Sequence, residues 1–332
     1  MTNMDMDIVI PTRNRGDRIK TVIESIRENT YDHFTLWVID QSDNDNTESV
    51  VRQFAELDKR IRYFRTSSRG ANFARNEGAL FGNGKIICFV DDDCRVAPTW
   101  LAEIRHEFDQ DEKTWLMFGR VLTDDEYRIE LPPGTKNISK AIPAALKNSP
   151  QRKVYKGNRF DLGFGHGANM AFRRSCYLRT KGFDGFIGAG GPLGTWDERD
   201  IGYRVLCQPD GQIVYTPRPL VYHQPWRGWT DVQKAYRNYA IGTGAAVSKY
   251  VRCGDWGSIY FLAEWVIDQG ARQVLSGLLK WRSWQKVVIG LLQIVYPWVG
   301  LVQGMSYPVR QKDILYTLPR DAQSAAANNL HT

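Results

Sequence analysis

The first 130 residues alternate two hydrophobic periods, and that alternation constrains the fold more than any other feature of the chain. Asp7–Pro11, Phe34–Asp40, Ile61–Arg65, Ile86–Val90 and Trp115–Leu122 are short runs rich in branched and aromatic residues, as strands are. Between them Ile19, Val22, Ile23 and Ile26 repeat at i, i+3, i+4 and i+7, the spacing of one helix face, and Leu101, Ile104 and Phe108 do nearly the same. Strand and helix in succession predict an α/β fold: a Rossmann-like, mostly parallel sheet with helices on both faces. A single core stops growing near roughly 250–300 residues, so a chain of 332 is expected to carry an appendage.

Ligands of such sheets gather at the C-terminal ends of the strands. The loops there are Thr12-Arg-Asn-Arg15, Asp40-Gln-Ser-Asp43 and Asp91-Asp-Asp93. One such loop is an ordinary solvated turn, because Asp, Asn and Ser favour turns. Three on one edge point to a site. The triplet follows the apolar run 86–90, so three carboxylates emerge together from a buried strand. Their crowding disfavours ionisation unless a cation offsets it, and Mg²⁺ or Mn²⁺ takes oxygen ligands and bridges to substrate phosphates. An acidic helix start ahead of Pro98-Thr99 accounts for the triplet alone about as well.

Charge divides along the chain. Residues 1–130 hold 18 basic and 25 acidic side chains, a net −7, and residues 131–332 hold 26 and 12, a net +14. An anionic partner therefore belongs to the rear. No recognisable nucleic-acid module accompanies that charge, so a phosphate-bearing substrate or lipid explains it better and no nucleic-acid partner is expected. Five cysteines without a C-x-x-C pair argue against a disulfide framework and a structural zinc site. The acidic start, Met1 to Asp7, has neither the basic residues nor the apolar stretch of a secretory signal, so a cytoplasmic location is expected.

Pro11-Thr-Arg-Asn14, Val38-Ile-Asp-Gln-Ser-Asp43, Gly70-Ala-Asn-Phe-Ala-Arg-Asn-Glu-Gly78 and Phe89-Val-Asp-Asp-Asp93 together resemble the nucleotide-sugar half of family 2 glycosyltransferases, inverting enzymes with the GT-A fold. The resemblance continues through Gly167-Ala-Asn-Met-Ala-Phe172, Gly182-Phe-Asp184, Trp196-Asp-Glu-Arg-Asp200 and Val221-Tyr-His223 and covers residues 7–227. It implies a GT-A domain over 1–227, with 1–125 as nucleotide-binding half and 126–227 as acceptor half, and a helical extension over 228–332. It also implies transfer of a sugar from a nucleoside diphosphate sugar to an acceptor hydroxyl, on a glycan or lipid-linked sugar, with Mg²⁺ or Mn²⁺, in cell-surface polysaccharide or glycolipid synthesis.

By the same resemblance, Pro11, Thr12, Arg13, Asn14, Asp40, Gln41 and Arg75 hold the nucleotide, and Asp91 and Asp92 face the ribose or sugar. Asp93 ligates the metal, with Asp91 and His223. His166, Gly167, Asn169 and Trp196 receive sugar or acceptor, while Glu198, with Asp197 second, is the base that deprotonates the acceptor. Two departures stand out. Gln41 lies where many members have an acid, leaving uridine, guanosine and thymidine open, and Asp197-Glu198 inverts the usual Glu-Asp. Asp200 and Arg204 are assigned a structural i, i+4 pair; Arg173 and Arg174 are candidates to meet phosphate, although most such pairs are only solvated surface. The alternatives are a sugar-phosphate nucleotidyltransferase, although the first loop has one glycine where a triphosphate cradle needs more, and a basic binding protein.

Two segments lie outside these motifs. Residues 131–160 are rich in Pro, Lys and Asn, the composition of a long mobile loop and a candidate lid. Val287–Gly304 is a run of 18 uncharged residues flanked by Lys280, Arg282 and Lys286 before it and Arg310 and Lys312 after it. It suits a core helix, a spanning helix or an interfacial segment. Seven of the 11 tryptophans lie at or after Trp226, which favours an interfacial segment, with peripheral contact through 280–312 at the inner face of the cell membrane.

Overall fold

The structure is a computed structural model that describes residues 6–124, 146–224, 226–280 and 282–318. The chain forms two compact units, one of Met1–Phe183 with Glu198–Val232 and one of Asp184–Asp197 with Gln233–Thr332. The short segment 184–197 thus groups with the C-terminal unit.

The first unit contains β1 (Met6–Thr12), α1 (Ile19–Arg27), β2 (Phe34–Asp40), α2 (Asn46–Leu57), β3 (Ile61–Arg65), α3 (Ala71–Phe81), β4 (Ile86–Phe89), β5 (Cys94–Val96) and α4 (Trp100–Gln110). There follow β6 (Leu116–Thr123), β7 (Lys153–Tyr155), β8 (Met170–Arg173), α5 (Arg174–Arg179), α6 (Asp197–Leu206) and β9 (Ile213–His223). The strands join in the order β3-β2-β1-β4-β8-β6-β9-β5, with β7 on β9. The fold is α/β with a mostly parallel sheet, as the alternating periods predict.

β1 is buried along its whole length and pairs in parallel with both β2 and β4. Its register sets Thr12 beside Asp40 and Val9 beside Phe89, so the polar loops after β1, β2 and β4 leave the sheet on one edge. On the far side β5 runs antiparallel to β9 with Cys94 opposite His223, which brings His223 within one residue of Asp93.

The helices follow from the same sequence logic, with one exception. α1 buries Ile19, Val22, Ile23 and Ile26, and α4 buries Leu101, Ile104 and Phe108. α3 shows no large apolar stripe because small residues make its contact: a Cβ on Gly78 would lie 2.5 Å from Val9 Cγ1. Asp200 and Arg204 form the expected pair at 3.0 Å, both buried, and Arg204 also donates to the carbonyls of Thr180 and Gly182.

Arg173 and Arg174 are corrected. They lie at the start of β4, away from the polar loops, with Arg173 opposite Ile86. Arg174 donates to the Gly84 and Ala79 carbonyls and to buried Asp7, which also accepts from Trp37 Nε1 and Gly84 N. Arg173 donates to the Phe108 carbonyl. Both guanidiniums are framework. Of the candidate lid, residues 131–145 lie outside the described residues; the remainder includes β7 and a bridge from Lys147 to Val121, so it is partly sheet.

The second unit is built on α7 (Trp229–Arg252), whose residues 240–250 are all buried. α8 (Ile259–Glu264) continues through a π-helical turn, α9 (Arg272–Leu275) and a second π-helical turn to Lys280, and α10 (Trp284–Met305) returns beside it. β10 (Val309–Arg310) and β11 (Leu315–Tyr316) close the chain. Lys249 Nζ lies 2.6 Å from Asp184 Oδ2, both buried, and the same oxygen accepts from Tyr316 N. Removing one partner of a buried pair strands the other charge. Lys249→Met is therefore expected to destabilise the protein by about 3–5 kcal/mol in urea denaturation, with much of the loss recovered in Lys249→Met/Asp184→Asn.

Candidate active site

The loop after β1 turns at Asn14, whose φ of 55° is left-handed, a conformation that Asn tolerates better than most residues. The turn is tied to the loop after β2: Asn14 N donates to Ser42 Oγ, and Arg13 and Asn14 both donate to Asp43. It leaves Arg15 reaching across the sheet edge, with Nη1 2.7 Å from Asp92 Oδ1 and 3.1 Å from Asp93 Oδ2. Trp226, just beyond β9, donates its indole N–H to Asp93 Oδ2 at 2.6 Å. The guanidiniums of Arg15, Arg18 and Arg227 lie 4.7, 4.3 and 4.9 Å from its ring centre.

These contacts set the charge states. Burial alone would raise Asp93, but His223 in its protonated form, Arg15, Arg227 and the Trp226 indole outweigh it and hold the carboxyl well below its ordinary range. Asp92 has less compensation, and burial pushes it up to about 6. Burial pushes His223 down from its ordinary value against the pull of Asp93, so the imidazole is neutral. For Arg15 burial is outweighed by the two aspartates, and it stays charged.

Asp93 Oδ1 and His223 Nε2 are 3.4 Å apart. A desolvated carboxylate oxygen and a neutral imidazole nitrogen are donors that Mn²⁺ or Mg²⁺ accepts. Among the described residues no group of three or more such side chains is placed to hold an ion. The protein thus offers two donors, which fits a cation whose remaining ligands are phosphate oxygens and water. Asp91, expected beside them, instead accepts from Arg75 Nη2 at 2.8 Å, and Arg75 is buried and also donates to Asn72 Oδ1.

The other expected residues separate into two groups. Gln41 is buried, and its amide nitrogen donates to the carbonyls of Ser68 and Gly70, leaving the oxygen with no hydrogen-bond partner among the described residues. Gly167 lies between the two side chains of Arg75 and Glu198: a Cβ there would make ordinary contact with Met170 Cε at 3.6 Å, Arg75 Nη2 at 3.7 Å and Glu198 Oε2 at 3.9 Å. His166 Nε2 lies 3.2 Å from the Leu146 carbonyl and Nδ1 lies 3.7 Å from Glu198 Oε1. Pro11 and Thr12 are buried at the end of β1.

Three residues instead use their polar or aromatic groups within the framework. Asp40, fully buried, accepts from Ser42 and Tyr63. Asn169, fully buried, accepts from Trp100 Nε1 and donates to the Arg120 and Pro219 carbonyls, so its amide crosslinks the fold. Trp196 packs in the second unit against Phe261 and Trp265. Asp197 is buried and Glu198 partly exposed. Arg15 and Trp226 were not among the expected site residues. Arg15 adjoins the Thr12–Asn14 motif and Trp226 follows His223 closely, but nothing in their spacing tells that both meet Asp93.

Residues 7–179, just over half of the chain, match the family model described as Glycosyl transferase family 2. The chain belongs to that family. As a member it is a glycosyltransferase that depends on a nucleotide-sugar donor. It is similar to the glucosyl-dolichyl phosphate glucuronosyltransferase of Haloferax volcanii, 20% identical over 67% of this chain and 69% of that one. It is also similar to the GalNAc(5)-diNAcBac-PP-undecaprenol beta-1,3-glucosyltransferase of Campylobacter jejuni, 26% identical over 43% of this chain and 46% of that one. Among solved structures, the mannosyltransferase PcManGT of Pyrobaculum calidifontis, in complex with GDP-Man and Mn²⁺, superposes with a TM-score of 0.58 at 16% identity, covering 90% and 87% of the two chains. S. aureus TarS 1-349 in complex with UDP-GlcNAc gives 0.51 at 13% identity over 72% and 66%. These neighbours share the GT-A fold.

Arg15→Ala leaves two buried carboxylates without their fixed cation. It should cost about 3 kcal/mol in denaturant unfolding, whereas Arg13→Ala, at an exposed pair, should cost less than about 1 kcal/mol.

Proposed function

We propose that this glycosyltransferase moves a sugar, with inversion, from a nucleoside diphosphate sugar to a hydroxyl of a lipid-linked acceptor during cell-surface polysaccharide or glycolipid assembly at the cytoplasmic face of the membrane. The observation that carries the reading is the placement of Gly167 between the Arg75–Asp91 pair on one side and Glu198 on the other. A donor held by the first and an acceptor hydroxyl held by the second meet there.

Gln41 Oε1 accepts from the base, which suits uracil, thymine or guanine because each offers a ring N–H. Arg15 and Arg75 meet the anionic donor. Asp93 and His223 hold a divalent cation through Oδ1 and Nε2, and when bound that cation neutralises charge on the departing diphosphate. Glu198 takes the acceptor proton. His166 Nδ1 lies 3.7 Å from Glu198 Oε1, beside the carboxylate that takes that proton. Partial exposure favours Glu198 over the buried Asp197 for that work. Relatives named for dolichyl phosphate and undecaprenol diphosphate substrates support a lipid-linked acceptor.

Glu198→Gln should lower turnover by about 10²–10⁴-fold while donor affinity, read by calorimetry, stays within about twofold of the parent. Equal turnover would remove Glu198 from the base role. Asp93→Ala should instead weaken Mn²⁺-dependent binding of the nucleoside diphosphate by on the order of 100-fold, and chelation by EDTA should have the same effect on the parent.

A further inference from the structure

α10 is apolar enough and long enough to cross a bilayer, yet only a third of its most apolar window is buried, so its two sides meet different surroundings. The inner side is locked into its own unit. Gln293 accepts from Trp265 Nε1 and donates to the Tyr236 carbonyl, and Gly300 sits so near Ile241 that a Cβ would overlap its carbonyl. Gly270 and Gly290 let the preceding helix close against α10, with Gly277 against Val287 nearer the turn, an antiparallel hairpin. The outer side exposes Leu291, Val295, Trp298, Val302 and Met305, spaced by four, three, four and three residues along one stripe, with Val302 64% exposed.

The preceding helix adds Ile267 and Leu275 to the exposed apolar surface. At the turn between the helices, Leu278, Leu279 and Trp284 are exposed beside three basic residues, Lys280, Arg282 and Lys286, with no acid among residues 278–286. The acids of the hairpin, Glu264 and Asp268, lie further back, and Asp268 pairs with Arg272 at 3.0 Å.

We propose that this hairpin face lies in the plane of an anionic lipid bilayer, with the stripe on α10 among the acyl chains and the basic, aromatic turn among the headgroups. Three observations select this occupant. The exposed stripe is one side chain deep while the opposite side is bonded to protein, which suits lying in the interface and not spanning. The turn's charge complements anionic headgroups. A second copy joined through the same face brings another basic turn, and of its hairpin acids Asp268 already pairs with Arg272. The docking surface takes its purpose from the reading of a lipid-linked acceptor, and its existence from the geometry alone.

The test is cosedimentation of the full chain with phosphatidylcholine vesicles, with and without phosphatidylglycerol. Binding is expected on the anionic vesicles and should fall by on the order of 100-fold in Lys280→Gln/Arg282→Gln/Lys286→Gln. Val295→Ser/Val302→Ser should also lose binding while releasing nucleoside diphosphate from donor at the parental rate. In the unaltered protein, brominated acyl chains should quench tryptophan fluorescence, a readout that needs no variant. Failure to sediment with anionic vesicles, parental binding by the triple variant, or a stable dimer in light scattering overturns the docking surface. Loss of docking with transfer to a detergent-dispersed acceptor leaves the transferase reading intact, whereas docking without any nucleoside diphosphate release overturns that reading and not this one.

Discussion

One guanidinium, that of Arg15, holds together the end of the sheet on which the site depends. Three consecutive carboxylates at the end of a buried strand repel one another and resist desolvation, so they persist only with fixed cations and N–H donors around them. Arg15 spans Asp92 and Asp93, Arg75 takes Asp91, and the Trp226 indole completes the shell of Asp93. Register makes this meeting inevitable: the parallel pairing of β1 with β4 brings the first loop to the triplet, and the pairing of β5 with β9 brings His223 and the residues after it.

Buried carboxylates recur in the molecule, and comparing them shows which one is poised for a ligand. Asp7 is ringed by Trp37, Gly84 and Arg174, and Asp184 by Lys249 and the Phe186 and Tyr316 amides. Both are closed structural knots. Asp93 differs because Oδ2 takes the strong donors while Oδ1 faces a neutral imidazole at 3.4 Å. The net charge of −7 in the front part of the chain is compatible with an anionic donor for this reason. Its key acids are matched locally by arginines that can also meet phosphate.

Much of the fold was legible because strand and helix periods are local. β1, β2, β3, β4 and β6, the two large apolar helix faces and the polar loops all lie within a few residues of where the hydrophobic pattern sets them. What was not legible depends on contacts between distant residues or on small side chains. α3 packs through Ala74, Gly78 and Ala79, which leave no amphipathic stripe. Asn169, in a glycine-flanked motif that suggested a ligand contact, crosslinks Trp100, Arg120 and Pro219. Arg174 reaches Asp7 across 167 positions, and Trp226 reaches Asp93 across 133. No spacing rule encodes such pairs. The uncharged run 287–304 showed its length in the sequence but not its two-sidedness, which appears only when Gln293, Pro297 and Gly300 are seen to face protein.

The central claim is that this sheet edge activates a nucleoside diphosphate sugar. The most direct measurement is to incubate the purified chain and Mn²⁺ with a panel of UDP-, GDP- and dTDP-sugars and to follow release of the nucleoside diphosphate. The account predicts release from one nucleotide class, abolished by EDTA and faster with a lipid-linked acceptor. No release from any donor, or release of pyrophosphate from a nucleoside triphosphate in the presence of a sugar phosphate, would contradict it.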